Sequence, residues 1–383
     1  MDYELPDEIA TFRDVVRKFA VEQIRPHVRE WDEKQETPPE FRAKLGELGI
    51  LGILTPEEYG GSGLGYLANA VVMEELCRQD GSLGFTLAGH TGLCSTHLLV
   101  AASDEQKARY LPKLASGEWW GAWALTEPGS GSDASAMQTK AVKYGDGWRI
   151  SGQKQFITNG SFAEVTVVFA RTEPDSGTKG ISAFVLEKGA EGFKPISKED
   201  KLGMRPSDTA MLSFDNVYVA PEALVGECNR GFIDALRVLE RGRVGIAASA
   251  VGVARGALEE SLQYAKQRET FGKPIAQHQA IQFMLADMAT DVEAARLLVH
   301  DAALMLDRGE DAQLEASIAK LFATEAAMRA SLKAVQIHGG MGCTREMHVE
   351  RYMRDAKVYE IGEGTSEVQR MLIARHLLSS GAA

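Results

Sequence analysis

The chain has 383 residues, 44% of them hydrophobic and 25% charged, with 42 Lys and Arg against 54 Asp and Glu and a formal charge of −12. This balance fits a globular protein with two or three cores, and it excludes nucleic acid as the main partner because no basic patch or stripe is present. The four cysteines, Cys77, Cys94, Cys228 and Cys343, are far apart with no CxxC, which excludes a disulfide frame and a zinc ribbon.

The chain opens on "MDYELPDEIA", too acidic for a signal or transit peptide. No later run approaches the roughly 18 apolar residues of a membrane span, so a cytoplasmic location with no transmembrane segment is expected. Residues 1–117 read as an N-terminal α-helical domain. In "DEIATFRDVVRKFAVEQI" the residues Ile9, Phe12, Val16, Phe19 and Ile24 keep a helical period, and "TPEEYGGSGLG" interrupts helix with Pro56 and repeated glycines. Residues 118–225 read as a middle β domain. The runs "WRISG", "KQFITN", "EVTVVFAR", "ISAFVLEK" and "AMLSFDNVYV" alternate with turns at Asp146-Gly147 and Asn159-Gly160. No helix-length pattern separates them, so antiparallel strands in a sandwich or barrel are expected. Residues 226–383 read as a bundle of long helices, with Ile281, Leu285, Met288 and Val292 as a buried stripe and Glu350–Arg354 and Arg351–Asp355 as i, i+4 pairs. The expected fold class is α+β multidomain, with the β domain inserted between two helical ones.

Several stretches could carry chemistry. "GSGSDA" (Gly129–Ala134) and "GLGYLA" (Gly63–Ala68) match G-x-G-x-x-A, but neither lies in a βαβ context, so both read as turns. His90, Cys94 and His97 would share one helical face, yet no carboxylate accompanies them; they read as a packed helix lining a pocket, and no metal site is assigned. "TEPGSGSD" (Thr126–Asp133) is either a polar turn or a loop that donates hydrogen bonds to a ring heteroatom, phosphate or carbonyl. In "YEIGEGTSEVQR", Glu363 stands between two glycines. It is either an exposed turn acid or a general base in a narrow dry slot, where desolvation raises the carboxyl pKa. The local sequence leaves both readings open.

Longer stretches carry more. "WALTEPGSGSDAS" and "QIHGGMGCTREMHVERYMRDAKVYEIGEGTSEVQRMLIAR" resemble the two signature regions of the acyl-CoA dehydrogenases. "RVGIAASAVGVARGALEESLQYAKQRETFGKPIAQHQ" resembles the helix pair between them, and "GQKQFITNG" the flavin strand of the β domain. The resemblance runs in order over essentially the whole chain. It implies an N-terminal helical domain, a central antiparallel β-sandwich or barrel and a C-terminal four-helix bundle. It further implies FAD, a homotetramer arranged as a dimer of dimers, and electron-transfer flavoprotein as electron acceptor. The implied reaction is α,β-dehydrogenation of an acyl-CoA thioester to the trans-2-enoyl-CoA, as in fatty acid β-oxidation.

By the same resemblance Glu363 takes the α-proton while flavin N5 takes the β-hydride, and the Glu363 backbone N–H helps hold the thioester oxygen. Thr126 and Thr158, with the Leu125 backbone, match residues that bond the flavin ring. Phe156 stands where many members carry Trp over one flavin face. Ser132 matches a position near the flavin phosphates and the CoA pantetheine, and Thr365 and Glu367 match positions near the FAD adenosine. Arg268, Phe271, Gln336 and Gly340 match residues that hold the FAD of a neighbouring subunit, so an isolated monomer is expected to have an incomplete cofactor site. Glu240 matches a CoA contact, and Arg243 a buried arginine under the active site. Gly362 replaces the Tyr of medium-chain members and is expected to set the size of the acyl pocket; Gly364 is expected to let FAD and thioester approach the backbone. Isovaleryl-CoA dehydrogenases place the base on an earlier helix, where this chain has Gly242, which leaves Glu363 as the candidate. "LAGHTGLC" (Leu87–Cys94) echoes branched-chain members, so the implied substrates are short-to-medium or branched acyl-CoAs. The competing readings are a flavin oxidase on the same fold, which the intact Glu363-Gly364-Thr365 argues against, and a non-catalytic helical assembly protein without FAD.

Overall fold

The computed structural model describes residues 5–379; Met1–Glu4 of the acidic start, and residues 380–383, lie outside the described residues. The first helix, α1 (Asp7–Phe19), has Asp7 and Glu8 in its first turn and Arg17 and Lys18 in its last, which suits the helix dipole. Its apolar stripe buries Ile9 and Val16, and a π-helical turn (Ala20–Ile24) carries the stripe on to Ile24. Helices α2 (Val28–Lys34) and α3 (Pro39–Glu47) follow, then α4 (Gly65–Cys77), which is buried along nearly its whole length. Helix α5 (Ser82–Leu87) passes through a π-helical segment (Ala88–Ser95) into α6 (Thr96–Ala101). Helix α7 (Asp104–Ser116) starts on a capping box in which Ser103 and Gln106 satisfy each other's backbone N–H.

The middle strands are β1 (Gly121–Ala124), β2 (Lys140–Tyr144), β3 (Gly147–Thr158), β4 (Val165–Arg171), β5 (Ile181–Glu187), β6 (Phe193–Lys198), β7 (Thr209–Val219) and β8 (Leu224–Val225). They form one eight-stranded sheet in the order β6-β7-β3-β2-β4-β5-β8, with β1 placed on β4. The runs "WRISG" and "KQFITN" merge into the single strand β3; the apparent break between them is a bulge against β7, with register shifts between Ile150 and Gly152 and between Lys154 and Ile157. The strands are not all antiparallel, which corrects that expectation: β1 runs parallel to β4 from Gly121↔Val165 to Ala124↔Val168. The physical reason is connectivity. The β2–β3 hairpin lies between them in sequence, and such a crossover returns the chain in the same direction.

Beyond the sheet come α8 (Gly231–Gln267), a small hairpin of β9 (Glu269–Thr270) and β10 (Lys273–Pro274), then α9 (Gln279–Asp307), α10 (Gln313–His338), α11 (Val349–Ile361) and α12 (Ser366–Ser379). Met288 and Val292 of the expected stripe are buried, with Ile281 and Leu285 packed partly buried against the same core. Glu350 and Arg354 pair at 2.7 Å as the spacing predicts. Arg351 and Asp355 pair at 3.4 Å, but in the interior, where Arg351 also meets Asp80 at 3.2 Å.

Three apolar cores organise the molecule. The largest runs from Ile9 through Leu67 and Val71 of α4 and Val244 and Val251 of α8 to Met288, Ala323 and Tyr359, so helices from both sides of the β domain share one interior. The other two lie on opposite faces of the sheet. β4 feeds both in alternation, with Val165, Val167 and Phe169 towards α6 and α7, and Val168 and Ala170 towards Trp148, Phe184 and Leu212. The π-helical segment packs against β1 and α8, and it meets Thr158 where β3 stops.

Candidate active site

The turn between α11 and α12 is built by backbone conformation. Glu363 has φ +53° and Gly364 φ +97°, so two successive left-handed residues reverse the chain. A left-handed Glu is uncommon, and such residues concentrate at functional sites. The Gly364 carbonyl is gripped from two sides, accepting from Lys320 Nζ of α10 at 2.8 Å and from Gln369 Nε2 of α12 at 3.0 Å. Glycine suits this position because at φ +97° any other side chain would be strained.

The turn aims the Glu363 side chain at α8. A Cβ built on Gly242 would stand 2.8 Å from Glu363 Oε2. The residue as a whole is partly exposed, yet Oε2 is buried and has no hydrogen-bond partner. Burial pushes the carboxyl up to about 7, against the opposing pull of the Lys320 and Arg243 cations. Lys320 is fully buried, and burial brings its ammonium down to about 8 despite the nearby Glu363. Arg243 is buried near Glu363, with Nε and Nη1 unpartnered. Glu240, one turn away, is half-buried, its carboxyl raised by burial and by the charge of Asp311.

Gly242 and Gly245 form one wall of a cleft whose other walls include Tyr66, Asn69 and Met73 of α4 and Leu87 of α5. Small residues on α8 make the room, and the lining is apolar apart from Asn69, Arg241 and the Tyr66 hydroxyl. Gly362 contributes no such room, contrary to expectation. A Cβ there would lie 2.5 Å from Cε1 of Phe85, because the Phe85 ring already occupies the space beside Gly362.

At the end of the sheet, Leu125 is buried where β1 stops, and its carbonyl accepts from Lys154 Nζ at 2.9 Å. The Thr126 carbonyl accepts from the Gln155 backbone at 2.9 Å. Thr158 ends β3 against the π-helical segment, where a Cβ on Gly89 would be 3.0 Å from its side chain. Between them Phe156 sits on the bulge with φ +58° and is 58% exposed. Ser132 lies exposed in the following loop, which Glu127 anchors through Gln138, Thr139 and Lys154.

Family models of the acyl-CoA dehydrogenase N-terminal, middle and C-terminal domains match residues 6–118, 122–217 and 229–378. The chain belongs to the acyl-CoA dehydrogenase family. It is 44% identical over 374 residues to the short-chain specific acyl-CoA dehydrogenase of Clostridium acetobutylicum, covering 98% of this chain and 99% of that one. Butyryl-CoA dehydrogenase from Megasphaera elsdenii superposes with a TM-score of 0.97 at 42% identity, covering 99% of this chain and 100% of that chain. A chain from the structural study of the electron transferring flavoprotein of Acidaminococcus fermentans gives 0.98 at 44% identity, covering 99% of this chain and 100% of that one.

Acyl-CoA dehydrogenases are FAD-dependent oxidoreductases, and the end of the sheet fits that cofactor. A bulky residue held in a left-handed conformation with its ring in the open gains nothing within the chain. Beside half-buried threonines and backbone polar groups, it makes a face suited to a flat heteroaromatic ring. The other expected FAD contacts are distributed unevenly. Thr365 caps α12, its Oγ1 accepting from the Val368 backbone at 3.3 Å, and Glu367 is exposed in the same turn. Arg268, Phe271, Gln336 and Gly340 are all exposed, Phe271 at 96% with φ +52°. Among the described residues, no hydrogen bond, ion pair or ring contact joins these four to Thr126, Phe156 or Thr158.

The histidines fasten elements together. His90 receives the Gly121 N–H at 3.0 Å and reaches the Leu114 carbonyl at 3.1 Å, which ties the π-helical segment to β1. His97 packs against Phe169 with ring centroids 5.2 Å apart. Among the described residues no group of three or more His, Cys, Asp and Glu could hold a metal, and no helix is long and apolar enough to cross a membrane.

Sequence reasoning missed Lys320 and Phe85. Lys320 left a faint signal, a lone cation between Ala316, Ala319, Ala323 and Ala327 on a face that is otherwise small and buried. Phe85 left none, since its contact with Gly362 exists only in the folded chain.

Proposed function

We propose that this acyl-CoA dehydrogenase converts a short-chain acyl-CoA thioester to the trans-2-enoyl-CoA, with Glu363 removing the α-proton. The observation that carries the reading is the carboxyl itself: a buried oxygen without partner beside the cleft wall at Gly242, with a pKa of about 7. A base is most effective when its pKa lies near the working pH. An α-C–H beside a thioester is a weak acid, so the carboxylate must be aligned, desolvated and kept charged. The gripped turn supplies the alignment, burial of Oε2 supplies the desolvation, and Lys320 and Arg243 favour the ionised form. The Glu363 backbone N–H is assigned to the thioester oxygen, where enolate charge develops. Glu240 is assigned to the CoA moiety, and Ser132 to both pantetheine and flavin phosphates.

FAD, when bound, supplies the acceptor for the β-hydride. Leu125, Thr126, Phe156 and Thr158 would hold its ring, and Thr365 and Glu367 its adenosine. Arg268, Phe271, Gln336 and Gly340 would complete the site from a second copy, and we assign a homotetramer arranged as a dimer of dimers. The similarity to the Acidaminococcus fermentans chain supports an electron transferring flavoprotein as acceptor. The short-chain assignment draws on the Clostridium acetobutylicum and Megasphaera elsdenii relatives. We assign the domains to residues 1–117, 118–225 and 226–383, and the enzyme to the cytoplasm.

Anaerobic mixing of the yellow holoenzyme with butyryl-CoA tests the proposal. The visible flavin absorbance should bleach. Glu363→Gln should retain FAD and bleach about 10²–10⁴-fold more slowly. An unreduced wild type, or a variant as fast as wild type, overturns it. Reoxidation by air at turnover rate would instead identify an oxidase.

A further inference from the structure

Residues 199–208 link β6 to β7 and touch both halves of the site. At the far end, Thr209 pairs with Thr158 at the close of β3, and the Asn159 N–H donates to the Asp208 carbonyl at 3.1 Å. The buried Asn159 side chain donates in turn to the Thr86 carbonyl at 3.0 Å and the Gly121 carbonyl at 3.2 Å. The Thr86 and Ser207 hydroxyls, both buried, bond at 3.0 Å. This end of the loop is thus fixed beside Thr158, one of the residues assigned to the flavin ring.

In its middle the loop reaches α11, the helix that leads into the Glu363 turn. Gly203 lies so close to α11 that a Cβ would stand 2.1 Å from the Arg354 carbonyl. Met204 donates its N–H to the Asp355 carboxylate at 2.5 Å. It is buried with φ +50°, a strained conformation that persists only where the surroundings hold it. Asp355 and Asp80 are both buried, and one guanidinium, that of Arg351, serves both. Such a buried cluster is weak ground for stability. What the Asp355–Met204 bond supplies is a link between α11 and the strand end at Thr158.

We propose that Asp355 is a positioning residue for Glu363. Through the Met204 N–H it holds α11, and with it the base, in place against the flavin end of β3, with the 199–208 loop as the strut. The proposal rests on the acyl-CoA dehydrogenase reading above.

The test follows flavin reduction by butyryl-CoA in FAD-loaded wild type, Asp355→Ala, Asp355→Asn and Ser207→Ala, with FAD content and urea midpoint measured on each. A misplacement of about 1 Å costs on the order of 10²-fold in rate. Asp355→Ala should therefore lower the saturating rate by about that factor, while the half-saturating concentration and FAD content stay at the wild-type level. Asp355→Asn keeps an oxygen for the Met204 N–H and should recover most of the rate. Ser207→Ala cuts the strut at its other end and should slow reduction by less; it carries the test should Asp355→Ala fail to fold. An unchanged saturating rate in the alanine variants that fold, whatever their urea midpoint, overturns this inference alone. A rate loss matched by loss of FAD does the same, as does an asparagine variant as slow as the alanine one. A wild type that butyryl-CoA does not reduce overturns the functional reading and the inference together.

Discussion

Glu363 has to be charged and dry at once, and its neighbours show how those demands are reconciled. Burial favours the protonated acid, and Lys320 and Arg243 pull the other way. The base acts in its ionised form, so kcat/KM should rise with pH and level off above about 7. Lys320→Met removes one cation and one of the two donors to the Gly364 carbonyl. It should move the rising limb to higher pH by on the order of one unit, while Lys320→Arg, which keeps the charge, should move it less. Stopped-flow flavin reduction across pH reads both. A limb that stays in place in Lys320→Met would show that Lys320 only supports the turn. Glu363 became a candidate base in sequence only through the whole-chain resemblance, because its flanking glycines and following Thr-Ser leave a turn acid and a general base both open. The expectation for Gly362 failed for a different reason. A missing side chain is visible in sequence, but the distant ring that fills its place is not.

Helix α4 crosses α8 at glycines, and this contact holds the cleft walls together. A Cβ on Gly252 would stand 2.5 Å from the Glu74 carbonyl and 2.9 Å from Cys77 Cβ. Around the crossing, the Glu74 carboxylate is held at 2.8 Å by Arg255 and at 2.9 Å by Arg296, which bolts α4 to α8 and α9. Gly252→Ala gains about 1 kcal/mol of helix propensity, but overpacking a close contact costs about 1–3 kcal/mol, and here the obstacle is backbone. The expected outcome is a lower urea midpoint with an unchanged slope; an equal or higher midpoint would mean that the crossing has slack. Element types were legible because the periods of helix and strand are local. The direction of β1 was not, since it depends on how the chain returns to β4. The supposed break in β3 was a bulge at Gly152, which sequence alone reads as a strand end.

The residues assigned to FAD include two sets, Thr126, Phe156 and Thr158 of the middle domain and the exposed Arg268, Phe271, Gln336 and Gly340 beyond it. If these belong to the same nucleotide in two different copies, assembly and FAD retention are linked. Phe271→Asp should then shed FAD during gel filtration and elute smaller than wild type, whose assembly should exceed the 41.6 kDa of one chain. Full FAD retention in a dissociated variant would separate the two properties. At this scale the α–β–α order was legible from texture alone. The sharing of one core by the outer two parts was not, because periodicity shows which face is apolar but not what covers it. That shared core has a consequence for synthesis. It begins at Ile9 and is completed only by residues as late as Tyr359, whereas the core on one face of the sheet draws only on residues between Ala122 and Leu224. On the ribosome, the helices made first must wait with their apolar faces uncovered while the strands emerge with local partners available. The middle of this protein is therefore placed to fold before its beginning, and the early helices are the segment most in need of a chaperone.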